Sequence, residues 1–289
     1  MLSGFVLLDK PSGMSSRGAG GRVARMFGTK KFGHVGTLDP MASGLLIIAL
    51  GHATKIIPYL PDDIKEYEFS VKFGCETDTG DITGKITNQN DIMPTAEQLN
   101  QACKSLIGEY DQVPPMYSAV HIDGVRAYDL ARKGENVEIP ARLVKIFDLK
   151  NTEFPNKFLV KCGAGTYVRS LARDIAKSFG GIATCDSIRR TKTNSFDIKN
   201  AVALDFLENL YNNAGLDAIA THLQRIDLGL DDILVIDLND AESELFKNGG
   251  FIPKFTENQE SVRVYNNDEF IGIGIIKDNL LKPKRIIKD

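Results

Sequence analysis

Apolar and polar positions divide the chain into runs of two kinds. FVLLDKP at residues 5–11 is a short apolar stretch stopped by a proline, which predicts a buried strand leading into a turn. LLIIAL at 45–50, bounded by Gly44 and Gly51, predicts a second buried strand. KEYEFSVKFG at 65–74 alternates instead. Tyr67, Phe69, Val71 and Phe73 share one face, and Glu66, Glu68, Ser70 and Lys72 share the other, as in a half-buried antiparallel strand.

Helical periodicity is clearest at 94–108 and in the stretch that follows GAGTY. In the first, Thr95 and Gln98 have capping-box spacing and Gly108 marks a stop. In the second, Val168, Leu171, Ile175 and Phe179 form an apolar stripe, with Arg169 and Arg173 together on another face. Ser15 and Ser16 offer an N-cap for a further helix through about Phe27, although Gly18, Gly20 and Gly21 make it a poor helix former. Residues 113–140 have the Pro, Gly and charge content of a long excursion. The last ~55 residues, from about LVIDLND, read as short strands with turns at NGG and YNNDE, a small β-rich appendage. No internal repeat or low-complexity segment interrupts this order.

Composition narrows the class. At 289 residues, 43% hydrophobic and 25% charged, the chain can bury a sizeable core and has an ordinary globular balance. No run approaches the ~18 apolar residues of a membrane span, so a cytoplasmic protein is the expectation. Cys75, Cys103, Cys162 and Cys185 lack metal-ligand or CxxC spacing and read as reduced core thiols. The net charge of −3 hides an asymmetry: residues 1–60 carry seven Lys and Arg against two Asp, a surplus of five, leaving the remaining 229 at −8. A basic segment on an acidic body is either a polyanion-binding face or a solvated helix surface.

Candidate chemistry centres on GHVGTLDPMASGLL, residues 33–46. Pro40 pushes Asp39 out of helical backbone, and Gly36 and Gly44 flank it, so its carboxylate is expected on a rigid loop ahead of a core strand. Asp before Pro is equally a common turn signal. His34, five residues upstream, fits a hydrogen-bonded loop histidine or a functional one, and the four histidines show no metal spacing. Tyr67 is a core aromatic whose hydroxyl needs a partner at the rim. Arg169 opens a helix, where its charge opposes the macrodipole, so it calls for an anion: a structural carboxylate, a phosphate or Asp39.

Taken in order, KPSGMSS (10–16), GHVGTLDPMASGLL (33–46), GHATK (51–55), KEYEFSVKFG (65–74), PPMYSAVHIDGVRAYDLARKG (114–134), GTYVRSLARD and IRRT (188–191) closely resemble the bacterial tRNA pseudouridine-55 synthases of the TruB family. The resemblance runs over residues 4–196 and more loosely over the C-terminal appendage. It implies an α+β pseudouridine-synthase fold, with a mixed, mainly antiparallel sheet flanked by helices and loops. The implied organisation is a catalytic domain at 1–230, with 117–140 as an RNA-clasping loop, and a small PUA-like RNA-binding domain at 231–289.

The implied activity is isomerisation of uridine 55 in the tRNA T loop, by a monomer without cofactor, metal or protein partner. Asp39 matches the family's nucleophile, Tyr67 the tyrosine stacked on the target base, and Arg169 the arginine paired with the nucleophile. His34 matches the residue that holds the T loop open, and Tyr167 and Ile188 match nucleotide contacts. Lys30, Lys31 and Lys55 are expected to hold phosphates. The glycine-rich first helix and His121, where a lysine is common in the family, depart from the pattern, as does the acidic net charge. Three rivals remain: a guide-RNA-dependent relative, a tRNA-folding factor, and an aspartyl-nucleophile hydrolase. The ~55-residue appendage speaks against the first. The intact Asp39, Tyr67 and Arg169 set speaks against a folding factor without chemistry, while leaving room for a tRNA-folding role beside it. The lack of a DxD or metal cluster beside Asp39 speaks against the third.

Overall fold

In the computed structural model, residues 2–61, 63–118, 120–122, 125–126, 128, 139–253 and 257–287 are described. The N-terminal apolar run forms β1 (Gly4–Lys10), and Ser15 caps α1 (Ser16–Met26) by accepting from the Gly18 amide. Strands β2 (Phe32–Val35) and β3 (Ser43–Leu50) follow, then two short 3₁₀ turns (Gly51–Lys55 and Ile57–Tyr59) and β4 (Ile64–Phe73). A small hairpin of β5 (Cys75–Thr77) and β6 (Ile86–Gln89) leads into α2 (Ala96–Leu106), whose Thr95 and Gln98 form the reciprocal capping box. The helix ends one turn-residue early. Ile107 is extended, and Gly108, at φ +111°, starts β7 (Gly108–Gln112) rather than capping α2.

Short strands β8 (His121–Ile122) and β9 (Val125–Arg126) pair within the expected clasping segment, of which residues 119, 123–124, 127 and 129–138 lie outside the described set. Next come β10 (Arg142–Glu153), β11 (Lys157–Gly163), α3 (Val168–Lys177), β12 (Ala183–Thr193), β13 (Phe196–Asp197), β14 (Val202–Ala203) and α4 (Leu204–Ala220). The appendage contains β15 (Val235–Asp237), α5 (Asp240–Lys247), β16 (Ile252–Pro253), β17 (Gln259–Asn266), β18 (Glu269–Lys277) and β19 (Leu280–Ile286). Its hairpin turns at Asn267–Asp268 and Asp278–Asn279 have positive φ at both central residues, the twist that two-residue hairpins require.

The main sheet runs β14-β1-β3-β12-β4-β11-β10-β7, with β2 added beside β3 and β13 beside β12. It is antiparallel except for the β1–β14 and β3–β12 pairs. The β3–β12 seam is short, with Ser43 opposite Arg189 and Gly44 opposite Arg190. Gly44 is obligatory there, because at φ +101° a Cβ would lie 2.3 Å from the Arg190 carbonyl oxygen. The helices cover one face, where Val23, Leu99, Leu171 and Leu207 pack with Leu8, Tyr67 and Phe69. On the other face Phe5, Leu7, Leu45 and Ile47 of β1 and β3 cluster with Val35, Ile56, Leu60, Phe196 and Leu230, joined by Phe270 and Ile273 of β18. Hence β1 and β3 are apolar on both sides and read as unbroken runs. In β4, Glu68 and Lys72 remain exposed, which produces the alternation.

The glycines of α1 have a packing reason. A Cβ on Gly20 would lie 2.9 Å from the Phe32 ring, so the helix approaches β2 closely only because that position is bare.

Candidate active site

Asp39 stands on the loop between β2 and β3, at the seam of the sheet. Every turn of that loop is tied down. The Leu38 carbonyl accepts from the Ser16 hydroxyl at 2.9 Å, and the Leu38 amide donates back to the same oxygen at 2.8 Å. The Pro40 carbonyl accepts from the Gly13 amide, and that of Met41 from the Ser12 hydroxyl. The Ala42 amide donates to the Asp39 carbonyl. Leu38 itself is buried in the helix-side core. KPSGMSS therefore works as a cradle for the carboxylate-bearing loop, fixing it without touching the carboxylate.

Arg169, in the first turn of α3, is the group that does touch it. Its Nε lies 2.8 Å from Asp39 Oδ2, with the guanidinium 4% exposed and the carboxylate 39%. Nη1 donates to the Thr79 carbonyl at 2.7 Å and Nη2 to the Tyr117 carbonyl at 2.8 Å. Two carboxylates face this arginine, Asp39 at Nε and Asp81 3.8 Å from Nη1. Asp81 is in turn held by Thr79 and by the amide and hydroxyl of Thr83. Arg173 does not share the site. Its guanidinium bonds Asp174 and the Val113 carbonyl.

The remaining expected residues occupy distinct positions. Tyr67 is buried on β4, opposite Arg190 on β12, and Ile188 lies two residues before Arg190, opposite Phe69. Tyr67 and Ile188 thus share the helix-side face. Tyr167 immediately precedes α3, donates its amide to Gln112 Oε1, and packs with Met116 against Val120 and Ile139. His34, on β2, bonds Thr37 through Nε2 at 3.1 Å. Burial, Arg190 and Arg17 push its pKa below the usual histidine value, in that order. Lys30 and Lys31 are exposed beyond α1. Lys55 is engaged elsewhere, its ammonium donating to the Ile286 carbonyl of the C-terminal sheet at 2.8 Å.

Beside the Asp39 loop a cleft of about 350 Å³ is walled by Ser12, Pro40, Met41, Ser43, Asp81 and Ile188. Among the described residues no group of three or more His, Cys, Asp or Glu side chains is placed to hold a metal ion, and no helix is long and apolar enough to cross a membrane.

Against known proteins, residues 24–168 match the TruB family pseudouridylate synthase N-terminal domain, and residues 235–287 match the TruB pseudouridine synthase II C-terminal domain. A tRNA pseudouridine synthase B of Caulobacter vibrioides is 39% identical over 302 residues, covering 99% of this chain and 96% of that protein. The chain belongs to the TruB family.

A second TruB relative, the tRNA pseudouridine synthase B of Azoarcus sp. strain BH72, is 40% identical over 296 residues and covers 99% and 95% of the two chains. The fold is also that of a chain in a Cbf5–Nop10–Gar1 complex, with TM-score 0.70, 23% identity, and 94% and 78% coverage. A chain from an H/ACA ribonucleoprotein bound to a substrate RNA containing 2′-deoxyuridine gives TM-score 0.70 at 20% identity, covering 99% and 85%.

Three charged residues of this TruB chain escaped the reading of its sequence. Lys10 is fully buried at the end of β1, its ammonium donating to the Pro11 and Met14 carbonyls. Burial lowers its pKa to about 8, against the pull of the Asp39 carboxylate and with a further push from Arg190. Asp81 sits in TDTGDIT, a stretch indistinguishable from an ordinary polar turn. Arg190 sits in IRRT, where nothing local separates a buried arginine from an exposed one. The available signal for Lys10 was a cation at the end of a strand whose preceding run, Phe5–Leu8, is apolar.

Proposed function

We propose that the chain converts uridine to pseudouridine in tRNA, at position 55 of the T loop, with Asp39 as the nucleophile and without a cofactor. The observation that carries this reading is the Asp39–Arg169 pair, a half-exposed carboxylate held against a buried guanidinium on a loop fixed at each turn. The reaction breaks the N1–C1′ bond, turns the uracil and joins C5 to C1′. The C5 proton leaves and N1 ends protonated, so no atom or electron is gained or lost. Asp39 attacks either the sugar at C1′, as glycosidase carboxylates do, or the base at C6. In both cases the carboxylate is the reacting group, and Arg169 Nε is paired with it at 2.8 Å.

A uridine within a folded loop must leave the stack to reach such a carboxylate, at a cost of a few kcal/mol. In this reading Tyr67 stacks on the flipped base, Tyr167 and Ile188 contact the nucleotide, and His34 occupies the space it vacates. Lys30 and Lys31 bind phosphates in the basic N-terminal segment, whereas Lys55 acts by anchoring the C-terminal sheet. The chain divides near residue 230 into a catalytic domain and a PUA-like RNA-binding domain, and works as a cytoplasmic monomer. The deciding experiment is incubation with an unmodified tRNA transcript followed by mapping of pseudouridine. Product at position 55 is expected; product elsewhere, or none, rejects the assignment.

A further inference from the structure

Arg190 occupies the seam of the sheet, between Gly44 on β3 and Tyr67 on β4. Its side chain is 1% exposed. Nε donates to the Leu45 carbonyl and Nη2 to the Gly36 carbonyl, both at 2.8 Å. Those two carbonyls bracket the Asp39 loop, one before the carboxylate and one after it. Nη1 has no hydrogen-bond partner among the described residues. Enclosing a guanidinium in a sheet interior carries a desolvation cost that an apolar residue of similar volume avoids. Structural filling therefore does not account for this arginine.

We propose that Arg190 is a positioning residue for the reaction, its planar fork clamping both ends of the Asp39 loop and setting the carboxylate in register with Tyr67 and Ile188. The inference rests on Asp39 being the reacting carboxylate. The clamp needs two donors in fixed relative orientation, which a guanidinium has and an ammonium lacks. Because Gly44 lies against the Arg190 backbone, a shift of the loop and a shift of β12 are one movement. Burial is the main cause of the lowered pKa of His34 and of Lys10, and the Arg190 charge adds to it in both. His34 additionally feels Arg17 from α1, and Lys10 feels Asp39.

The test compares Arg190→Lys and Arg190→Gln with the wild-type enzyme, reading kcat and KM on tRNA together with the NMR titration of His34. Arg190→Lys keeps the charge and loses the fork. It should leave the His34 titration near that of the wild type while kcat falls by about 10²-fold, the scale of a misplaced reacting group, with KM unchanged. Arg190→Gln should lower kcat and also raise the His34 pKa. Wild-type kcat in Arg190→Lys, or an effect confined to KM, overturns the proposal. Should neither variant fold, the ¹⁵N arginine resonances of the wild-type protein decide: slowly exchanging Nε–H and Nη2–H signals for Arg190 are expected, and rapid exchange overturns the clamp. A wild-type enzyme that forms no pseudouridine instead removes the reading of Asp39 on which the inference rests.

Discussion

The guanidinium of Arg169 meets Asp39 through Nε at 2.8 Å while its two remaining nitrogens are fixed on the carbonyls of Thr79 and Tyr117. The cation is thus located by backbone, and Asp39 is located by the cation. Arg169→Lys preserves the charge, but an ammonium cannot span three acceptors in one plane. Turnover should fall sharply in Arg169→Lys and further in Arg169→Ala, with tRNA affinity little changed in a filter-binding assay. A loss of binding with turnover intact would separate Arg169 from Asp39.

Asp39→Asn keeps the shape of the loop, whose hydrogen bonds run through backbone carbonyls and the hydroxyls of Ser12 and Ser16. Turnover should drop by at least about 10³-fold, as on removal of a nucleophile. The thermal midpoint and tRNA binding should hold. Retained pseudouridine formation would exclude the carboxylate from the chemistry.

Asp81 has two jobs that substitutions can divide. Asn at this position keeps an oxygen for Thr79 and Thr83 but removes the charge facing Arg169. Asp81→Asn should reduce kcat with modest loss of stability. Asp81→Ala should also destabilise by about 1–3 kcal/mol, since the Thr83 amide and two hydroxyls lose their acceptor. Equal kcat in Asp81→Asn and wild type would leave Asp81 with the turn alone.

Much of the fold was legible because burial leaves periodic marks. The β4 alternation, the α2 capping box and the apolar runs of β1 and β3 each reflect what the element packs against. The candidate pair was legible only in part: Arg169 at a helix start needed an anion, local rules left that anion open among a structural carboxylate, a phosphate and Asp39, and the family resemblance alone named Asp39. Charges satisfied only by distant backbone were not legible. Nothing near Arg190 in sequence announces that it will bridge Gly36 and Leu45. Lys55 shows the converse, since a basic residue in a basic segment has its ammonium on Ile286, 231 positions away.

Lys10 gives the protein a pH signature. Its folded pKa, lowered by burial to about 8, lies below the 10.5 of an exposed lysine. Between those values the unfolded chain binds more protons than the native one, so stability rises with pH there, by at most about 1.4 kcal/mol per pH unit for one proton. Below pH 8 that gain is lost. Urea unfolding of wild type and Lys10→Met across this range should show the slope in the first and its removal in the second. Parallel curves would mean that the ammonium is not desolvated as placed.

The glycines of α1 separate helix propensity from packing. Alanine at Gly21, whose Cβ would meet only the Phe32 ring tip at 3.6 Å, should stabilise by about 0.5–1 kcal/mol. Alanine at Gly20 meets the same ring at 2.9 Å and should destabilise despite the better propensity. A thermal melt in which Gly20→Ala rises along with Gly21→Ala would place α1 farther from β2.

Phe270 and Ile273 of the C-terminal sheet join Val35, Ile56, Leu60, Phe196 and Leu230 on the second apolar face of β1 and β3, and Lys55 bolts the last strand of that sheet in place. Strands roofed on both sides cannot surrender one roof and keep the other intact. Heating should therefore melt the appendage and the strands that frame Asp39 as one cooperative unit. A chain cut after residue 230 would lose Phe270 and Ile273 from the cluster that Phe5, Leu7, Leu45 and Ile47 share with Ile56, Leu60, Phe196 and Leu230, making it a sticky protein before it is an inactive one.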